Sequence, residues 1–269
     1  MALSPNINVM IKAAEKAARS LIRDFGEVEQ LQVSRKGPGD FVSAADHRAE
    51  EIIFDELSRA RPDYGFLMEE SGVKGPKDAE YIFIVDPLDG TSNFLHGLPQ
   101  WCISIGLEHQ GEVIAGIIYD PVKDEMFRAE KGNGAFIRNK RLRVSGRKSL
   151  DGTMIATGQP QREQGKEQLF IREYEAVLSH TLGIRRFGAA ALDLAYVAAG
   201  RFDGFWERGL NAWDMAAGYI IVKEAGGIIT DIKGATNPVH KNNVLCANSD
   251  LHDELKRILG SVKQEKDAA

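Results

Sequence analysis

Residues 81 to 97, YIFIVDPLDGTSNFLHG, restrict the fold more than any other stretch of this chain. Tyr81 to Val85 is an apolar run with β-branched members, the pattern of a buried strand. Asp86 and Asp89 fall where that strand should stop, so two carboxylates stand together at a strand end. Gly90 follows at once, and Thr91 and Ser92 can start a helix whose first N–H groups lack internal acceptors and can hold an anion. Acid oxygens for a hard cation thus lie beside donors for a phosphate, the pairing that metal-assisted phosphoester hydrolysis needs.

Around this stretch the pattern changes period several times. Ile7, Met10, Ile11, Ala14, Ala17, Ala18, Leu21 and Ile22 recur at helical spacing, which predicts an amphipathic helix from Pro5 to Phe25, ended by Gly26. A strand-like Leu31 to Val33 leads into KGPGD, Lys36 to Asp40, expected as an exposed, adaptable loop. A second helix is expected from near Ser43 to Ala60, stopped by Arg61-Pro62. A strand from Tyr64 to Leu67 then ends in Glu69-Glu70-Ser71, and a Gly/Pro/Lys-rich loop follows. Trp101 to Glu130 reads as an antiparallel meander, extended by short strands around Asn139. Gly158 to Lys166 is the expected crossover between halves at 1–157 and 158–269. Strand and helix alternate in the second half, which favours α/β layers, and the tail VKQEKDAA is expected to be disordered.

Bulk properties exclude whole classes. At 269 residues and 43% hydrophobic, the chain can build a full core, and a net charge of −5 argues against a general nucleic-acid or membrane-surface binder. Cys102 and Cys246 lie far apart in apolar runs without zinc-like spacing, as expected of buried thiols in a reducing compartment. The N-terminus lacks a continuous apolar run, and no stretch approaches the roughly 18 apolar residues of a membrane span, so a cytoplasmic location is expected.

Acidic clusters lie in three separate segments: Glu69-Glu70, Asp86 with Asp89, and Asp214 in NAWDMAAG, each beside an expected strand end or helix start. Each has an ordinary explanation alone. Asn211 can cap a helix with Asp214 in its first turn, DG pairs make turns, and exposed acidic pairs are usually solvated. Gathered into one cleft, they would be tolerable only with cations present, and an all-oxygen set selects Mg²⁺ over zinc or copper.

FLMEES, IVDPLDGTSNFLHGLP and WDMAAGYIIVKEAGG, in this order, resemble the inositol monophosphatase family of lithium-sensitive, magnesium-dependent phosphatases. The resemblance runs from VSAAD at Asp46 to NVLCAN near the end, and its DPLDGTSNF motif is highly specific. It implies a single domain over 1–269, a mixed α/β fold built as a five-layered αβαβα sandwich, and a homodimer. It also implies metal ligation by Glu69, Asp86, Asp89, Asp214 and the Leu88 carbonyl, with phosphate held by Gly90, Thr91 and Ser92. Glu69 and Thr91 would position the attacking water, with Asp46 orienting the Thr91 hydroxyl. Glu207, Gly188 and Ala190 match substrate-contacting positions, and Lys36 matches a lysine on a mobile loop. Met68, where relatives often carry glycine, and VSAAD, with Ser43 and Ala45 where threonines are common, depart from the pattern without removing a ligand.

The expected activity is hydrolysis of inositol 1-phosphate or a related polyol or sugar phosphate. Fructose 1,6-bisphosphate, histidinol phosphate and adenosine 3′,5′-bisphosphate are the alternative esters; a bisphosphate would call for extra cations, for which Arg185 and Arg186 are candidates. Some bacterial members of the family also associate with the transcription machinery, and RNKRLRVSGRK, residues 138–148, is the dense basic stretch that RNA would use. A solvated hairpin edge that blocks strand pairing explains the same residues better.

Overall fold

The computed structural model describes residues 3–27, 33–37, 40–159 and 167–262. Helix α1 (Pro5–Gly26) starts where the Ser4 hydroxyl accepts the Ile7 N–H and Pro5 supplies a preset φ. Its buried stripe runs from Ile7 through Met10, Ala14 and Ala18 to Leu21; Ile22 points outward. The expected loop at Lys36–Asp40 is instead a hairpin, β1 (Val33–Gly37) and β2 (Asp40–Ser43), paired antiparallel. Pro38 and Gly39 between them, and Leu31 before them, lie outside the described residues, as do 263–269 of the expected tail. Helix α2 (Ala44–Ala60) follows and packs along α1.

The two helices cover one face of an eight-stranded sheet. Its strands are β3 (Gly65–Met68), β4 (Gly72–Lys74), β5 (Tyr81–Asp89), β6 (Cys102–His109), β7 (Glu112–Asp120), β8 (Glu125–Glu130), β9 (Gly134–Ile137) and β10 (Lys140–Arg141), in the order β10-β9-β8-β7-β6-β5-β3-β4. Only β3 and β5 run parallel; the rest is the antiparallel meander. Strand β4 replaces part of the expected loop, because a left-handed Gly72 turns the chain back against β3.

A second sheet holds β11 (Met154–Thr157), β12 (Gly183–Arg185), β13 (Gly204–Arg208), β14 (Ile228–Thr230) and β15 (Asn243–Ala247), ordered β12-β11-β13-β15-β14. Helices α5 (Ala190–Ala198) and α6 (Ala212–Glu224) lie between the sheets, and α4 (Glu167–Leu178) and α7 (Ser249–Ser261) cover the outer face. The result is the expected αβαβα stack. Period-two alternation assigns residues to layers: Phe83 and Val85 enter the core under α1 and α2, while Ile84 enters the inner core. Phe205 likewise faces inward and Trp206 outward, toward α7. Cys102 and Cys246 are free thiols buried in the inner core.

Two paired glycines fix the depth of α6. Gly106 on β6 opposes Gly116 on β7, and a Cβ on Gly106 would lie 2.7 Å from the Ala216 Cβ. One on Gly116 would lie 2.8 Å from the Ala217 Cα. The helix therefore rests against sheet backbone, and a methyl at either glycine would cost about 1–3 kcal/mol by overpacking. The Ser104 hydroxyl, 3.2 Å from the Trp213 carbonyl, ties the start of α6 to β6. Asp214 is thereby carried to the ends of β5 and β6.

Candidate metal and phosphate site

Strand β5 reaches the site through an irregularity. Asp86 opposes Ser104 and Asp89 opposes Cys102, so β5 spends one residue more than β6, a bulge that bends its end. The Asp86 Oδ1 accepts the Leu88 N–H at 2.9 Å across the bulge, while the Leu88 side chain is buried under α1 and α2. Gly90 then takes φ 93°, and a Cβ there would lie 2.9 Å from the Gln100 carbonyl, so only glycine fits. The short helix α3 (Thr91–Leu95) begins next, placing the amides of its first turn at the cleft.

Two elements, β5 and α6, deliver acids to one point. Oxygens of Asp86, Asp89 and Asp214 lie within 4.8 Å of one another. The Asp89 Oδ2 accepts the Ala191 N–H at 2.7 Å, joining β5 to the first turn of α5, and the Cys102 thiol lies 3.7 Å away. Asp214 completes a capping box in which its Oδ2 accepts the Asn211 N–H at 2.6 Å. The capping role and the cluster are thus compatible, since a carboxylate offers two oxygens. Glu69 follows β3, with its N–H donating to the Val85 carbonyl at 3.1 Å.

The electrostatics are those of crowded, buried acids. Burial first, then the charges of Glu69, Asp89 and Asp214, hold the Asp86 carboxyl well above the usual carboxylate range. Burial pushes Asp89 up to about 7, although the Ala191 N–H works in the other direction. Such a group of oxygens, without a histidine or thiol in the cluster, can hold a hard divalent cation, whose charge would reverse these shifts. His96, the histidine nearest in sequence, turns its Nδ1 to the Ser92 carbonyl at 2.7 Å.

Asp46 is fully buried on α2 and accepts from the Thr91 hydroxyl, with oxygens 3.0 Å apart; the same hydroxyl lies 3.0 Å from the Leu88 carbonyl. Glu69, Asp89, Gly90, Thr91, Ser92, Asp214, Gly188, Ala190 and Glu207 all line one cleft of about 920 Å³. Asp46, Asp86 and Leu88 stand behind that lining. Lys36 lies on β1, and its side chain is outside the described residues. Burial, then Asp193, Asp214 and Asp89, raise the Glu207 carboxyl well above its ordinary value. Its oxygens fill the space where Gly158 lacks a side chain.

Sequence reading missed several contributors. Asn93 donates to the Gln100 and Phe187 carbonyls, each at 2.7 Å, stapling two walls of the cleft across 94 residues of chain. Asp193, buried in α5, and Glu50, buried in α2, gave no signal beyond ordinary helical acids. Of the two arginines weighed for a second phosphate, Arg186 lines the cleft with Lys123 and Arg208, and Arg185 does not.

A sequence model of the inositol monophosphatase family matches residues 2–265. The inositol-1-monophosphatase of Mesorhizobium japonicum is 53% identical over 264 residues, covering 98% of each chain. The Nus factor SuhB of Xylella fastidiosa is 45% identical over 87% of this chain and 84% of its own. Among solved structures, the extragenic suppressor protein suhB of Bartonella henselae superposes with a TM-score of 0.93 at 54% identity, over 96% of this chain and 99% of that one. With the αβαβα stack and the acid cluster at its strand ends, these matches establish that the chain belongs to the inositol monophosphatase family.

Proposed function

We propose that this chain is a Mg²⁺-dependent phosphomonoesterase that hydrolyses inositol 1-phosphate or a closely related polyol phosphate. The observation that carries the reading is the meeting of Asp86, Asp89 and Asp214 within 4.8 Å, in a cleft that also holds the α3 amides and Glu207. Glu69, Asp86, Asp89, Asp214 and the Leu88 carbonyl hold the metal; Gly90, Thr91 and Ser92 hold the phosphate. Bound Mg²⁺ supplies a lowered pKa for water and neutralises charge on the leaving alkoxide. With its proton directed to Asp46 or the Leu88 carbonyl, Thr91 presents a lone pair that accepts from a water, and Glu69 holds that water from a second side. No covalent enzyme intermediate is needed. Glu207, Gly188 and Ala190 meet the polyol, as hydroxyl-rich substrates require hydrogen-bonding groups opposite the phosphate.

The cations of the cleft weigh against a bisphosphate. Arg208 is engaged by Glu173 and Lys123 by Asp120, which leaves Arg186 to face a second phosphate. The working form is a homodimer in a cytoplasmic setting. Support comes from the exposed Ile171 and Leu178, seven residues apart on α4, and from exposed Leu182 and Phe187 flanking the edge strand β12. No helix among the described residues is long and apolar enough to cross a membrane.

The test is phosphate release from inositol 1-phosphate, fructose 1,6-bisphosphate, histidinol phosphate and adenosine 3′,5′-bisphosphate, with Mg²⁺ or EDTA. Preference for inositol 1-phosphate, lost in EDTA and inhibited by Li⁺, supports the reading; metal-independent or absent turnover on every ester removes it. A second reading, a transcription-associated role, draws on relatives such as the Nus factor SuhB of Xylella fastidiosa and on residues 138–148. Against it, β10 is the outer edge strand, Arg138 pairs with Asp124, and Arg147 with Asp203, as the edge explanation expects. Salt-dependent RNA binding lost on substituting Arg138, Arg141 and Arg143 would reinstate it.

A further inference from the structure

Helix α2 presents two acids one turn apart to the back of the site. Asp46 and Glu50 share a helical face, and both are buried, at 0% and 3% exposure. Asp46 takes the Thr91 hydroxyl; Glu50 Oε2 accepts the Glu70 N–H at 2.8 Å. That second bond has no part in the activity described above, and it acts on the peptide that follows Glu69. The Glu69 N–H is already fixed to the Val85 carbonyl at 3.1 Å. Fixing the next amide sets the peptide plane on the other side of the same Cα, so both backbone dihedrals of Glu69 are held. The acceptor itself is buried, so water does not compete for the Glu50 oxygen that holds this amide.

We infer that Glu50 is a positioning residue, which aims the Glu69 carboxylate at the metal cluster by gripping the Glu70 amide. This rests on the proposed metal role of Glu69. Reach, not charge, is then the property Glu50 must supply. Glutamine keeps an acceptor oxygen at the same distance from the backbone, whereas aspartate keeps the charge but withdraws it by one methylene.

Calorimetric Mg²⁺ titration of the full chain, wild type beside Glu50→Gln, Glu50→Asp and Glu69→Gln, separates the alternatives. Melting temperatures in EDTA, taken in parallel, report the fold. Glu50→Asp should weaken Mg²⁺ binding about 10- to 100-fold, the scale for loss of an outer hydrogen-bond partner of a ligand, and Glu50→Gln should stay within about threefold of wild type. A purely structural role would lower the EDTA melting temperature and leave Mg²⁺ affinity unchanged. Wild-type affinity in Glu50→Asp, or equal weakening in Glu50→Gln, overturns the inference. Unchanged affinity in Glu69→Gln would instead remove the metal role of Glu69, and this inference with it.

Discussion

Buried carboxylates are treated in opposite ways in two regions of the molecule. Where α4 meets β13, Glu173 is 1% exposed and is gripped by the Arg208 guanidinium, with contacts of 2.6 and 2.9 Å to one oxygen. Asp120, fully buried at the end of β7, similarly accepts two backbone amides at 3.0 Å and the Lys123 ammonium at 2.6 Å. At the strand-end cluster, by contrast, the charges that act most strongly on Asp86 belong to Glu69, Asp89 and Asp214, all of them acids. A fold that satisfies its acids elsewhere but crowds them here has left the compensating charge to come from outside. The difference separates structural acids from binding acids without reference to any relative.

Substitutions should therefore have opposite effects in the two regions. The largest effect is expected from Asp89→Asn, which should lower kcat/KM at least ~10⁴-fold, above about 5 kcal/mol. In EDTA above about pH 7, where the Asp89 carboxyl is ionised, the same variant should be more stable than wild type, because a buried and repelled charge is gone. Activity within tenfold of wild type would show that Asp89 does not hold the metal. The converse case is Arg208→Met, which leaves Glu173 buried without its partner. Urea unfolding should record a loss of about 3–5 kcal/mol, largely recovered when Glu173→Leu is added. If the single and double variants unfold alike, Glu173 is not the buried uncompensated charge that the comparison requires.

What the sequence reveals of these regions follows from the range of the forces involved. The end of β5 was legible because its signals are local: an apolar run, two acids, and a glycine that must be left-handed. The layers were legible from alternation and helical spacing, which encode burial directly. Glu50 was not, because HRAEE in a helix looks like a solvated face until the fold buries it. Asn93 was not, because its acceptors at Gln100 and Phe187 come from different segments. The strand character of Lys36, Gly37 and Asp40 was not, because the glycines and proline of KGPGD announce a turn and mask the short strand ends beside it.

Metal removal sharpens the comparison at intermediate scale. A ligand bound only by the folded state stabilises it by about 2.7 kcal/mol at 100 times its Kd, so Mg²⁺ should raise the melting temperature over EDTA. Asp89→Asn should abolish most of that rise, and Arg208→Met should keep it from a lower baseline. An equal rise in wild type and Asp89→Asn would place the stabilising cation outside the cluster.

The smallest effect concerns Asp193, which lies between the two classes. It is 1% exposed on α5, and its Oδ1 has no hydrogen-bond partner among the described residues. Burial first, then the charge of Asp89, hold its carboxyl well above the usual range. A raised carboxyl leaves the fold unpenalised below its unfolded value, near about 4, and costs stability as pH climbs from there toward the folded value. Asparagine has nearly the same shape and never ionises, so it escapes that cost. Metal-free wild type and Asp193→Asn should be matched in urea near pH 4. The variant should gain on wild type with rising pH, reaching on the order of 1 kcal/mol, the ordinary scale of one substitution, by about pH 8. A wild type more stable than the variant at pH 8 would mean that Asp193 is ionised and partnered, and would move it into the class of Glu173.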